Sequence, residues 1–270
     1  MKNLIGSALF TVFLLFSCKE TNTRNVHTST PDKKPQTAAT LPFAIDSIKV
    51  HDSLSINEML TAEFEAGVLL FPTLSNKTLL DSIYAKEQLN LSHYDRQSLT
   101  RAIRDSEQNY YNETKKDTEE YSPTFHQTWN RASNMELVSN ENELMTIKYS
   151  GSGYTGGAHG YYYEFYKIFD LATNETLQLK DIVENRNAEV WNEILKDNFL
   201  KEDLERGQAD MLLVQEIPLN DNFYLDREHL YFLYNQYEIA AYAAGTILIK
   251  VPLKDIKPFL TKYVKERLKI

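Results

Sequence analysis

GSGYTGGAHGYYYEFYKIFD, residues 151–170, is the stretch on which the fold turns. Five of the nine glycines of the chain fall in its first ten positions. So much bare backbone serves either positive φ or the close approach of another surface. Two readings follow. One is a binding loop whose exposed N–H groups meet an anion or a sugar. The other is a wide, bulged hairpin connection packed on its own sheet. The second half, Tyr161–Asp170, reads as a strand with bulky groups on both faces. Tyr161, Tyr163, Phe165 and Phe169 lie on one face, and Tyr162, Tyr166 and Ile168 on the other. A strand apolar on both faces is central or covered.

Working outward, 43–50 alternates and reads as a strand, and 64–71 as a second one stopped by Pro72. Leu79, Leu80, Ile83 and Tyr84 fall at helical spacing behind Asn76, a suitable cap. Residues 95 to 118 predict a charged helix with Leu99, Ala102, Ile103 and Tyr110 on one side. Strands are expected at 124–132, 135–139 and 144–149, with a turn at Asn140-Glu141-Asn142. Beyond the central stretch come a turn at Asn174-Glu175, a helix over 187–204 and strands at 223–225, 230–237 and 246–251. A closing helix is expected over 255–268, with Pro258 in its first turn. Strands and helices come in blocks, which predicts an α+β fold with antiparallel sheets and packed helices in two linked subdomains, 41–165 and 166–270.

The first forty residues are of another kind. Met1-Lys2-Asn3 is a short positive start, and Leu4–Phe16 is apolar and uncharged. That run is too short to span a bilayer, which takes about 20 residues, but suits the hydrophobic part of an export signal. It ends in Leu15-Phe16-Ser17-Cys18, which resembles the lipobox of bacterial lipoproteins. The resemblance implies a signal peptide over 1–17 and a lipid, palmitate among its acyl chains, on Cys18, the single cysteine of the chain. Residues 18–40 hold no aromatic residue and one branched aliphatic, Val26. Such a segment buries too little apolar surface to offset its ordering entropy. It reads as a flexible tether with a reach of roughly 25 to 30 Å.

Removing residues 1–17 takes away one basic residue, Lys2, and leaves 28 basic against 38 acidic, a balance of −10. That excludes nucleic acid and anionic lipid headgroups as the main partner, since both reward basic patches. It suits a cationic protein partner. With one cysteine, no disulfide forms within the chain, and the core holds by packing.

Chemistry motifs are missing. None of the six histidines, His27, His51, His93, His126, His159 and His229, sits in a metal-ligand pattern. Gly151-Ser152-Gly153 is no nucleophile elbow. No metal or other cofactor is expected, and no catalytic residue is assigned. His159 reads as a group that locks the turn through loop carbonyls, and Glu238 as a backbone cap. The candidate binding loop comprises Tyr154, Gly156, Gly157, His159 and, from a second loop, Tyr242.

Several motifs recur in order. They are Tyr154-Thr155-Gly156-Gly157-Ala158-His159-Gly160, then Phe169-Asp170-Leu171 and Leu177-Gln178-Leu179-Lys180-Asp181-Ile182, then Tyr237–Gly245 and Val251-Pro252-Leu253. Together with Leu70-Phe71-Pro72-Thr73-Leu74, they resemble a family of paired extracytoplasmic domains of unknown function. Members occur in the anti-sigma factor that senses lysozyme and beside the catalytic domain of a peptidoglycan deacetylase. The resemblance covers about residues 43–262. It implies a two-part α+β fold outside the membrane, on the periplasmic side or the cell surface. The expected function is a lipid-anchored binding or sensing module of the cell envelope, its ligand a lysozyme-like protein or peptidoglycan. The alternative is an envelope hydrolase with a site near the glycine-rich loop.

Overall fold

A computed structural model describes residues 43–203 and 207–270. The expected signal 1–17, the lipid-bearing Cys18 and the tether 18–40 lie outside the described residues. Within them no helix is long and apolar enough to cross a membrane.

The fold is α+β. Strands β1 (Asp46–Asn57) and β2 (Leu60–Leu70) are followed by helices α1 (Lys77–Tyr84) and α2 (Arg96–Glu120). Then come β3 (Gln127–Glu141), β4 (Leu144–Tyr154), β5 (Tyr161–Asp170) and the short β6 (Glu175–Thr176). These six strands form one sheet in the order β1-β2-β3-β4-β5-β6. The second part comprises α3 (Leu179–Ile182), α4 (Ala188–Glu202), an antiparallel sheet of β7 (Phe223–Leu225), β8 (His229–Tyr234) and β9 (Ile247–Pro252), and α5 (Lys262–Leu268).

Local chemistry sets the ends of these elements. Asn76 caps α1 by accepting from the Leu79 N–H at 2.9 Å, and Asp95 caps α2 through the Ser98 N–H at 2.8 Å. At the β3–β4 hairpin Asn142 and Glu143 take φ of 53° and 61°, the left-handed pair that matches the twist of the strands. The turn is thus Asn142-Glu143, overlapping the expected 140–142 at Asn142 and ending one residue later. Arg267 grips Glu143 at 2.5 Å and holds this bulky residue in place.

The two faces of the large sheet feed two cores. Ile147, Tyr149 and Phe169 pack with Leu79, Ile83, Leu99 and Ile103 of α1 and α2. Leu144 and Ile168 join Trp191, Leu195, Phe232, Ile249 and Val264 in the second core. Leu79, Ile83 and Leu99 are wholly buried, each worth about 1.5–3 kcal/mol in apolar transfer.

The expected antiparallel pairing holds at every joint of the large sheet but one. β2 pairs β3 in parallel, Leu60 opposite Gln127 through Gly67 opposite Asn134. The chain leaves β2, crosses through α1 and α2 and re-enters the sheet from the same end, which makes the pair parallel. Two expected strands, 124–132 and 135–139, are one continuous β3 with an irregularity at Leu137/Ser139. The closing helix is shorter than 255–268: Lys257–Phe259 is a separate 3-10 turn, and Thr261 caps α5. A division at 165/166 passes through the middle of β5, every residue of which belongs to the large sheet.

Candidate functional site

The glycine-rich stretch is half strand. β4 continues to Tyr154, so the loop proper is 155–160. Of its five glycines only Gly156 has positive φ, at 86°. A Cβ there would also lie 3.0 Å from Trp129 Nε1, whose N–H donates to Gln127 Oε1 at 2.9 Å. A Cβ on Gly160 would come within 2.7 Å of the Gly153 carbonyl oxygen. Gly157 faces open space, its nearest neighbour being the His159 carbonyl at 3.9 Å. The loop is therefore a packed hairpin connection with one open shoulder, Gly157–His159.

His159 is exposed and stacks on Tyr242, with ring centroids 4.1 Å apart. Its Nδ1 lies 2.8 Å from the Gly160 carbonyl oxygen, and the Tyr242 hydroxyl donates to the same oxygen at 3.1 Å. Tyr242 opens a 3-10 turn that closes at Gly245, whose φ is 74°. The structure thus brings together His159 and Tyr242. Tyr154 sits at the end of β4 opposite Asn130, half-buried, and among the described residues no stacking contact joins it to that pair.

Tyr237 completes the cluster, and strand periodicity hides it. The apolar run predicts a strand through Tyr237, but β8 ends at Tyr234. Tyr237 has φ of 66° and is 58% exposed, with its ring 6.4 Å from His159 and 5.9 Å from Tyr242. Its hydroxyl lies 3.4 Å from His159 Nε2. The signal for a turn was Asn235 directly after the strand. Glu238 accepts from the Asn235 N–H at 3.0 Å, a capping role. Among the described residues no carboxylate bonds His159, and no three His, Cys, Asp or Glu side chains converge as a metal site.

Three amide side chains dock the second part against the outer edge of β5. Gln236 donates to the Tyr162 carbonyl at 3.0 Å. Asn235 accepts from the Glu164 N–H at 2.8 Å and donates to its carbonyl at 3.1 Å. Asn222 donates to that carbonyl at 2.8 Å and accepts from the Tyr166 N–H at 2.9 Å. The amides stand where a neighbouring strand would otherwise bond.

A cleft of about 510 Å³ lies elsewhere, floored by Leu144, Ile168, Leu225 and Leu268 with Glu141 and Arg227 at its rim. Tyr154, His159 and Tyr242 do not line it.

Residues 170–254 match the family described as a protein of unknown function, DUF3298. Residues 58–162 match the family described as deacetylase PdaC. The first match ends and the second begins within β5, with 163–169 between them, and Asn222 and Asn235 dock on Glu164 and Tyr166 in that interval. A crystal structure of a DUF3298 family member from Bacteroides fragilis superposes with a TM-score of 0.70 at 20% identity, covering 85% of this chain and 98% of that one. A DUF3298 family protein from Pseudomonas aeruginosa gives a TM-score of 0.55 at 17% identity, covering 83% and 97%. At these identities the likeness is one of fold. No curated protein matches the chain.

Proposed function

We propose that the chain is a lipid-anchored binding module of the bacterial cell envelope, exported and tethered through Cys18, with peptidoglycan as its ligand. The observation that carries this reading is the order of the two family matches: a PdaC segment at 58–162 is followed, seven residues on, by a DUF3298 segment at 170–254. The lipobox-like Leu15–Cys18 and the tether behind it support export and anchoring. The contact surface is formed by exposed His159 and Tyr237 with half-buried Tyr242 between them. Aromatic side chains with a polar tip suit sugar and protein surfaces, and a non-glycine residue at positive φ in an exposed loop motivates a functional reading of Tyr237.

A second reading takes a cationic wall-lytic protein, lysozyme-like, as the ligand. The balance of −10 over residues 18–270 favours it. One experiment separates the two. Mature protein is incubated with purified sacculi and, separately, with immobilised lysozyme. Retention on sacculi, weakened by Tyr237→Ala, is the expected result. Retention on lysozyme alone selects the second reading, and retention on neither overturns both. Palmitate labelling tests the anchor: wild type takes label and Cys18→Ala does not, and an unlabelled wild type removes the anchor from the proposal.

A further inference from the structure

One face of β5 carries Tyr161, Tyr163, Phe165 and Lys167 at alternate positions. Alternate strand residues are about 6.7 Å apart, so the three rings form a row about 13 Å long. The row begins one residue after the loop that holds His159. Tyr161 is 45% exposed, and Tyr163 and Phe165 are half-buried with centroids 5.6 Å apart. Its footing is unusual. Tyr163 pairs with Gly151 and Tyr161 with Gly153 across the strands. A Cβ on Gly151 would lie 2.4 Å from the Tyr163 ring, and one on Gly153 within 2.7 Å of the Tyr161 ring. The rings therefore cross β4 over bare backbone, leaving their outer sides to solvent. Two of the five glycines of the motif serve this close approach.

The far end of the row is cationic. The Lys86 ammonium lies 3.8 Å from the Phe165 ring centroid. Lys86, Phe165 and Lys167 line a cleft of about 350 Å³ together with Asn220, Asp221 and Glu238, whose carboxylate is engaged by the Asn235 N–H. Neither lysine has a carboxylate within ion-pair distance among the described residues, Asp221 included. Burial first, and then the neighbouring Lys86, lower the Lys167 ammonium pKa below its usual range. At the near end Arg131 lies over Tyr110 at 4.7 Å and pairs with Glu113 at 3.1 Å. The row thus runs from the Arg131–Glu113 pair at one end to two lysines outside any ion pair of the described residues at the other.

We propose that this row binds a glycan strand, its sugar rings stacked on Tyr161, Tyr163 and Phe165 and a carboxylate substituent held between Lys86 and Lys167. The inference rests on the glycan reading above and adds a second contact surface to the His159, Tyr237 and Tyr242 cluster. Rings supply the apolar contact, and the paired ammonium groups supply selection for an acidic sugar.

The test uses the mature chain and two soluble probes of equal length: a neutral chito-oligosaccharide and a peptide-free peptidoglycan glycan strand bearing lactyl carboxylates. Titration calorimetry is expected to show both binding, the carboxylated strand more tightly. Tyr161→Ala should weaken both about tenfold, the loss of one stacking ring. Lys86→Gln with Lys167→Gln should bring the carboxylated strand down to the affinity of the neutral one and leave the neutral one unchanged. Thermal melts check that the variants stay folded, and Tyr161 is exposed enough for its removal to be tolerated. Wild type that binds neither probe, or binding indifferent to Tyr161→Ala, overturns the proposal. If sacculi still retain the Tyr161→Ala chain as well as wild type, the row is wrong while the envelope reading stands. If sacculi never retain wild type, that reading falls first.

Discussion

Asp170 is wholly buried and fully engaged. Its oxygens accept from the Tyr263 hydroxyl at 2.5 Å, from Arg267 Nη2 at 2.8 and 3.0 Å, and from the backbone N–H groups of Ala172 and Thr173 at 2.8 and 3.2 Å. Burial alone would raise its pKa. The Tyr263 hydroxyl, the two amides and the Arg267 charge outweigh burial and hold the carboxyl below its usual range. A depressed pKa gives stability that is complete above the unfolded value, about 3.9, and that is lost as pH falls through the folded value. Asp170→Asn should therefore cost about 3 kcal/mol at pH 7, the penalty for breaking a buried ion pair on one side. The gap to wild type should narrow near pH 3. Urea unfolding at both pH values measures this; a loss at neutral pH below about 1 kcal/mol would mean the network is ornamental. Nothing in the sequence pointed to Asp170 as more than a residue of the Phe169-Asp170-Leu171 motif, because its partners Tyr263 and Arg267 come from the far end of the chain.

Among the elements, β5 contributes to both cores, Ile168 to one and Phe169 to the other. Its ends are legible in the sequence: ten residues with bulky groups on both faces, between a glycine-rich loop and a turn. That it is covered rather than central is only half legible. One side is β4, but the other meets β6 only at Phe169 and Asp170, and side-chain amides take over the rest. Asparagine and glutamine in polar turns look alike whether they cap a loop or imitate a strand, so Asn222, Asn235 and Gln236 carried no sign that they dock on a strand edge. Tyr237 was hidden for a related reason, since apolar alternation runs past the last paired residue of β8. Removing two of these amides, in Asn222→Ala with Asn235→Ala, should cost about 2 to 4 kcal/mol through unsatisfied Glu164 and Tyr166 backbone groups. It should also release those two amides to fast hydrogen exchange while Ile147 and Tyr149 on β4 stay protected. Unchanged protection at Glu164 would show that the edge is held by something else.

At the scale of the whole molecule, blocks of strands and helices were enough to read an α+β fold with two parts. The direction of β3 was not readable, since apolar alternation is the same for a strand run either way. The parallel joint between β2 and β3 has a kinetic consequence. Hairpins β1–β2 and β3–β4–β5 close short loops, whereas β2 and β3 meet only after the chain from Leu70 to Gln127 has been brought round. Long closures pay their entropy before contacts reward it, so the joint and the α2 packing over it should form after the rate-limiting step. Ile147→Val, inside the β3–β5 meander, should slow refolding. Ile103→Ala, on the α2 face against the sheet, should mainly speed unfolding. Stopped-flow chevrons of the two variants measure this, and the reverse assignment would mean the crossover closes first.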